Sequence, residues 1–300
     1  KMLNRTIVLV NVQHSRLESC NKFPFNFYYN VDEIMKMFPN VKFITQQDFL
    51  NWTRERDNRP TATHRYIKTD RNLRSNLLEL RSECLNQFDF KFNRNDDLMI
   101  NKTTIKLGSK GSWKEINNNK LLIKTLTRLL DLDDEVLLIR HQIPTPLFPS
   151  MGEVIHLPYA NHLIEAANNA TNQLGPFIAI HWRMETGKPE MMPICVKSLI
   201  KYVNKLQAEI GIYNIYFATD YPLVDAGKKK AQSTTFHIIS EQHRDAIKIL
   251  NNTFKLNTWV SMKTLDVIYN IFPEYKNEIN EEFQGSGLQG IFDKLVLTNS

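Results

Sequence analysis

The sequence predicts an α/β chain built on mostly parallel strands, and two observations carry that expectation. Short apolar runs rich in β-branched and aromatic residues recur along the chain, and stretches with helical spacing separate them. No apolar run approaches the roughly 18 residues of a bilayer crossing. The longest candidates, Ile7–Val10 and Phe177–Ile180 among them, are four residues each.

The clearest strands, in order, are Ile7 to Val10, Val41 to Thr45, Glu135 to Ile139, Phe177 to His181, Ile215 to Thr219 and Phe236 to Ile239. Between the fourth and fifth, the apolar residues Leu199, Ile200, Val203 and Leu206 share one face of a helix over 198–207. Strand, helix and strand form a βαβ unit. Its right-handed crossover brings both strand C-terminal ends to one sheet edge, which is where such sheets bind ligands. A further helix is expected from Tyr159 to Gln173, with small or apolar residues at Ala160, Leu163, Ile164, Ala167 and Ala170. Segment 84–119 is polar and Asn-rich, ends near Gly108-Ser109-Lys110-Gly111-Ser112, and reads as an insertion or surface excursion. Both periodicities fail at Pro144-Thr145-Pro146-Leu147-Phe148-Pro149, followed by Gly152. This stretch is the expected linker between domains at 1–150 and 151–300.

The 300 residues (35.1 kDa) are about twice the commonest domain size, which leaves one large or two ordinary domains open. A hydrophobic fraction of 42% with 23% charged residues excludes wholesale disorder and fibrous repeats. The net charge of +6, from 38 basic against 32 acidic residues, suits an anionic ligand but lacks the concentrated patch of a nucleic-acid binder. Cys20, Cys84 and Cys195 contain no Cys-x-x-Cys pair and allow at most one intrachain bridge. The opening Lys1-Met2-Leu3-Asn4-Arg5-Thr6 has no secretory-signal pattern and reads as starting inside a domain. Sequons begin at Asn4, Asn51, Asn101, Asn169 and Asn251, and about three are expected from so Asn-rich a composition, so they lend weak support to a secretory route.

Two strand ends could carry chemistry. The apolar strand Phe177-Ile178-Ala179-Ile180 stops abruptly in His181-Trp182-Arg183-Met184-Glu185. An arginine there can offer its planar fork of donors to a diphosphate, whose negative charge grows as a glycosidic bond to it breaks. The competing structural reading is an Arg183–Glu185 ion pair beside a buried His181. The second strand, Ile215-Tyr216-Phe217-Ala218, closes on Thr219-Asp220 at the same edge. Asp220 could accept from a ribose hydroxyl or purine amino group while Thr219 and Ala218 permit close backbone approach, or it could cap the turn into Tyr221-Pro222. Other clusters are less pointed. Lys228-Lys229-Lys230 reads as a solvated face, His237 and His243 around Ser240-Glu241 make an improbable metal site, and Trp52-Thr53-Arg54-Glu55-Arg56 reads first as a helix end.

Together, in this order and spacing, the strand ends resemble the fucosyltransferase superfamily that includes the protein O-fucosyltransferases. His181-Trp182-Arg183-Met184-Glu185 is similar to that superfamily's His-x-Arg motif and its His-x-Arg-aromatic-Glu variant. Ile215 to Asp220 is similar to its later strand ending in Ala-Thr-Asp, and Leu3-Asn4-Arg5-Thr6-Ile7-Val8-Leu9 to its early Leu-Asn-Arg-Thr strand. The likeness is most specific over about 159–220, with Phe43 to Leu50 a further familiar stretch.

The resemblance implies a GT-B-like fold of two Rossmann-like domains, the first (1–150) on the acceptor side and the second (151–300) binding the nucleotide sugar. It implies an inverting transferase that needs no metal and moves fucose from GDP-fucose to a hydroxyl, most plausibly on Ser or Thr of a protein, in the secretory pathway. By motif position Arg183 holds the diphosphate as the catalytic residue. His181 lies beside the nucleotide, and Asp220 with Thr219 meets the guanosine half. No Asp-x-Asp pair lies at a plausible site. The family's Gly-rich Asn loop and its hydroxyl-hydroxyl-Phe loop are expected to lie before residue 1 and after residue 300, so no catalytic base is named. The alternatives are a noncatalytic relative that binds a nucleotide or glycan, and a transferase using another deoxysugar nucleotide such as a rhamnose donor.

Overall fold

The computed structural model describes residues 4–13, 16–17, 21–68, 88–100, 104–107, 113–115, 119–141, 156–223, 239–262, 264–284 and 287–298. The chain is mixed α/β with mostly parallel strand pairing, and it divides into two compact units. One comprises Lys1–Asn11, Leu17–Phe25 and Val31–Leu157, and the other Val12–Arg16, Asn26–Asn30 and Pro158–Ser300. Among the described residues no helix is long and apolar enough to cross a membrane.

In the first unit, β1 (Ile7–Leu9) pairs in parallel with β4 (Phe43–Thr45), Ile7 opposite Phe43. Helix α2 (Val31–Met37) precedes β4, while the two-residue strands β2 (Val12–Gln13) and β3 (Arg16–Leu17), which pair with each other, fall in the stretch Val12–Arg16 of the second unit except for Leu17. Val41 and Lys42 stay outside β4, which makes that strand shorter than the apolar pattern suggests. Thr45 ends β4 and caps α3 (Gln46–Arg54) through a capping box with Asp48, which satisfies donors that a helix start leaves open. Trp52-Thr53-Arg54 does close a helix, and the Arg56 guanidinium lies 4.6 Å over the Trp52 ring. Arg5 of the Leu-Asn-Arg-Thr stretch serves the scaffold: its guanidinium donates to the carbonyls of Leu132, Asp134 (2.8 Å) and Glu135 (3.3 Å).

The larger sheet of this unit corrects the reading of segment 84–119 as an excursion. Its order is β8 (Trp113–Glu115), β7 (Thr104–Leu107), β6 (Lys91–Ile100), β5 (Thr61–Lys68) and β9 (Val136–His141). The β5 strand pairs in parallel with β6 and β9, while β6–β7 and β7–β8 are antiparallel. Backbone pairing overrides the weak strand propensity of the Asn and Asp residues here, and buried Phe88 and Phe90 anchor the start of β6 to a core with Leu50, Ala62 and Val136. The central strand β5 escapes sequence reading because its buried positions include Thr63, His64 and Arg65. Helix α4 (Asn119–Leu130) precedes β9.

The second unit has a three-stranded parallel sheet of β10 (Phe177–Trp182), β11 (Asn214–Thr219) and β12 (Leu256–Asn257). Both faces of β10 and β11 are covered, which explains their unbroken apolar runs. On one face Ile178, Ile180, Ile215 and Phe217 pack with Val196 and Val203 of α6 (Met192–Ile210) and with Ala246, Ile247 and Leu250 of α7 (Glu241–Thr253). Helix α6 runs further than 198–207 because Pro193 is tolerated in its first turn, and Gly211, at φ 71°, ends it in the left-handed conformation. Helix α5 (Asn161–Leu174) matches the expected 159–173 within two residues and packs with α10 (Gly287–Thr298). Helices α8 (Leu265–Ile271) and α9 (Lys276–Gln284) lie between α7 and α10 in sequence.

Segment Asn26–Asn30, which overlaps the single turn α1 (Phe25–Tyr28), is built into this second unit. Phe27 and Tyr28 are fully buried. His162 Nε2 bonds the Phe27 carbonyl at 2.8 Å, the Tyr28 hydroxyl donates to Glu282, and Tyr29 stacks on Tyr159. The expected linker 144–149 with Gly152, most of the strand Phe236–Ile239, Lys228–Lys230, His237, Cys20 and Cys84 lie outside the described residues. Cys195 carries a free thiol on α6.

Candidate functional site

The register of β10 and β11 sets the site. His181 lies opposite Ala218 and Trp182 opposite Thr219, so Arg183 and Asp220 each follow the last residue of neighbouring parallel strands. The βαβ arrangement read from the sequence is thereby present, and both strand ends meet at one edge.

Burial falls away along β10 from Phe177 to an exposed His181. The structural alternative of a buried His181 is therefore incorrect: alternation along the strand turns Ile180 and Trp182 to the core and His181 to the other face. Its other half is observed. Arg183 Nε donates to Glu185 Oε1 at 2.7 Å, and Nη2 donates to the same oxygen. The pair is asymmetric: the Arg183 side chain is 60% exposed and that of Glu185 only 7%. Glu185 anchors one flank of the guanidinium, and a guanidinium has five N–H donors in all. The bond to Glu185 also raises the already high pKa of Arg183, with the carboxylate's charge acting in the same direction.

Asp220 reaches back across the edge. One carboxylate oxygen accepts the Met184 N–H at 2.7 Å and the other the Glu185 N–H at 3.0 Å. It thus holds the loop that carries Arg183. Burial raises the Asp220 pKa, while the two amides it accepts from pull it down. The turn into Tyr221-Pro222 is tied by Thr219, whose hydroxyl donates to the Trp182 carbonyl at 2.9 Å and accepts the Tyr221 N–H at 3.1 Å. The loop then tightens through Gly187, whose N–H reaches the Met184 carbonyl at 3.0 Å. A side chain at Gly187 would meet the Met192 methyl at 2.3 Å.

His243 belongs to this cluster, whereas the sequence marks it only as a candidate metal ligand beside Ser240-Glu241. It is the third residue of α7, where its Nδ1 accepts the Ser240 N–H at 3.2 Å and lies 2.7 Å from the Ser240 hydroxyl. That bonding leaves the proton of the neutral ring on Nε2. Burial lowers the His243 pKa, opposed by the Met184 backbone and the negative charge of Asp220. The available signal was capping-box spacing in Ser240-x-x-His243. A separate cleft of about 370 Å³, lined by Asn169, Gln173, Ser261, Thr264 and Asp266 among others, shares no residue with the edge. Among the described residues no group of three or more His, Cys, Asp or Glu side chains could hold a metal ion.

No protein-family model matches the chain, and no curated protein matches it by sequence. Among solved structures it is similar to the crystal structure of POFUT1 in complex with GDP-fucose. The TM-score is 0.46 at 15% identity, covering 95% of this chain and 87% of that one. It is also similar to the apo form of POFUT1, with a TM-score of 0.42 at 16% identity, covering 86% of this chain and 76% of the other.

Proposed function

We propose that the chain is a glycosyltransferase of the fucosyltransferase type that binds GDP-fucose at the carboxyl edge of β10 and β11. In this reading it moves fucose to a hydroxyl of a protein or glycan acceptor, with inversion and without a metal ion. The observation that carries the reading is the parallel register that puts His181-Trp182-Arg183 and Thr219-Asp220 side by side at one edge. Arg183 faces solvent with one flank fixed by Glu185 and serves the donor diphosphate, whose charge rises as the sugar departs. Asp220 holds the Met184 and Glu185 amides in place, and its remaining lone pairs face the guanosine half. His181, exposed beside them, lines the nucleotide, and Thr219 sets the turn. The second unit would bind the donor, the first would receive the acceptor, and the secretory pathway is the setting of this chemistry.

One observation favours a noncatalytic nucleotide or glycan binder as the second reading: the Thr219 hydroxyl and both Asp220 oxygens already serve internal bonds. Titration calorimetry with GDP, GDP-fucose and UDP, joined to an assay of GDP release with candidate acceptors, separates the two. The transferase reading expects GDP to bind in preference to UDP, Arg183→Lys to weaken that binding about tenfold or more, and GDP-fucose to be consumed. GDP binding without consumption supports the binder. GDP affinity equal in wild type and Arg183→Lys removes Arg183 from the site.

A further inference from the structure

Beneath the edge, α10 turns two polar side chains toward the buried face of β11. The Tyr216 hydroxyl donates to Asp293 Oδ1 at 2.6 Å. The Gln289 amide nitrogen donates both to the Thr219 carbonyl and, at 3.3 Å, to Asp293 Oδ2. Tyr216 is fully buried, and Gln289 and Asp293 are each 6% exposed. Their helix is otherwise apolar on this side, with Leu288, Ile291, Phe292 and Val296 buried. A buried carboxyl at such a position costs stability that an apolar side chain of similar size would not. The contact lands on Thr219, whose carbonyl immediately precedes Asp220, and Asp220 in turn holds the Arg183 loop.

We propose that Gln289 and Asp293 form a buried positioning device: ionised Asp293 holds the Gln289 amide on the Thr219 carbonyl and so aims Asp220 and the Arg183 loop at an anionic nucleotide, and protonation of Asp293 releases it. The regulatory part rests on the nucleotide reading of the edge given above. With Asp293 ionised, both amide hydrogens of Gln289 have acceptors. A proton on Oδ2 turns that oxygen into a donor, so the amide rotates to present its own oxygen, and the Thr219 carbonyl loses its partner.

Burial raises the Asp293 pKa to about 7, against the opposing bonds from Tyr216 and Gln289, so the device changes state near neutral pH. The other ionisable groups on the elements that pack with α10 have partners of their own. Burial keeps the Tyr216 phenol neutral by raising its pKa well above 10, and it lowers the pKa of His162 on α5, which is bonded to the Phe27 carbonyl. Glu282 on α9 accepts the Tyr28 hydroxyl, and the Lys294 ammonium lies 5.4 Å from the Tyr159 ring.

The test is amide hydrogen exchange of Met184 and Glu185 in the whole chain, corrected for intrinsic rates, from about pH 6 to about pH 8. GDP affinity is measured alongside. Wild type is expected to gain about tenfold protection at the higher pH, matching about one pKa unit of coupling. Asp293→Asn should stay at the low value throughout. Gln289→Met should also be flat while the Asp293 carboxyl still titrates in its infrared band, a split that a merely structural role would not give. GDP affinity of wild type relative to Asp293→Asn should rise about tenfold over the same range, and taking that ratio cancels the titration of the GDP phosphate. Identical exchange profiles in wild type and Asp293→Asn, or lower protection at pH 8, overturn the device. If Asp293→Asn does not fold, the wild-type and Gln289→Met profiles decide. Exchange that follows Asp293 in a protein that binds no GDP keeps the device and sinks the nucleotide reading instead.

Discussion

Asp220 offers the sharpest test of how the edge is built. Asp220→Ala removes acceptors from the Met184 N–H at 2.7 Å and the Glu185 N–H at 3.0 Å. Hydrogen bonds to a charged group contribute about 1.5 to 3 kcal/mol each, so the gross loss is about 3 to 6 kcal/mol. Two effects reduce it: burial already disfavours the Asp220 carboxylate, and the freed amides can take up water once the loop relaxes. A net loss of about 3 kcal/mol is expected in urea unfolding at neutral pH, with an unchanged m-value. Asp220→Asn keeps one acceptor and should lose roughly half as much. Both variants free the loop that aims Arg183, so GDP affinity measured by calorimetry should fall about a hundredfold in the alanine variant. Unchanged unfolding of Asp220→Ala would refute the bonding argument. A lost 3 kcal/mol with GDP affinity intact would leave Asp220 as a brace of the fold alone.

Three further outcomes are expected. Arg183→Lys should leave the melting temperature within about a degree, because lysine keeps a positive charge beside Glu185 at a side chain that is itself 60% exposed, while any GDP-fucose turnover falls about a hundredfold; wild-type turnover in that variant would exclude the role. Asp293 binds its proton more tightly in the folded chain, with a pKa of about 7 against 3.8, so wild-type stability should decline as pH rises from about 4 to about 7 and level off above. Roughly three units at about 1.4 kcal/mol each bound that decline at about 4 kcal/mol, and Asp293→Asn should lose this component; the same slope in both proteins would contradict it. Tyr28→Phe strips buried Glu282 of its hydroxyl donor and should cost about 1 to 3 kcal/mol in denaturant unfolding, whereas no loss would show that the bond contributes nothing.

What the sequence shows about this fold follows burial. The β10 and β11 strands read clearly because helices cover both faces, so nearly every side chain is apolar and polar character returns only at the edge. The β5 strand is equally central to its sheet yet unreadable, since His64 and Arg65 occupy buried positions where an apolar pattern was sought. Segment 84–119 misleads in the same way: its Asn and Asp residues suggest a loop, but β6 is held by pairing with strands on both sides, and its apolar residues, Phe92 and Leu98-Met99-Ile100, stand at its two ends around a polar middle.

At the candidate site, the positions of Arg183 and Asp220 were legible and the bonds were not. The local pattern offers Asp220 as a cap of its own turn, but its partners lie 35 and 36 residues away, a separation that no local pattern encodes. Asp293 did carry a local signal, as a lone carboxylate on a helix face formed by Leu288, Phe292 and Val296. That signal marks a buried charge without naming the strand it meets.

The placement of Asn26–Asn30 in the second unit bears on how the protein is made. A ribosome delivers Phe27 and Tyr28 long before the residues that bury them exist. The stretch between Asn30 and Pro158 alone takes about 6 to 25 s to synthesise at roughly 5–20 residues per second. Throughout that interval two large aromatic side chains lack their native cover, and Glu282 emerges later still. The second unit therefore cannot complete folding as its own stretch of chain appears. It must recapture a segment made much earlier.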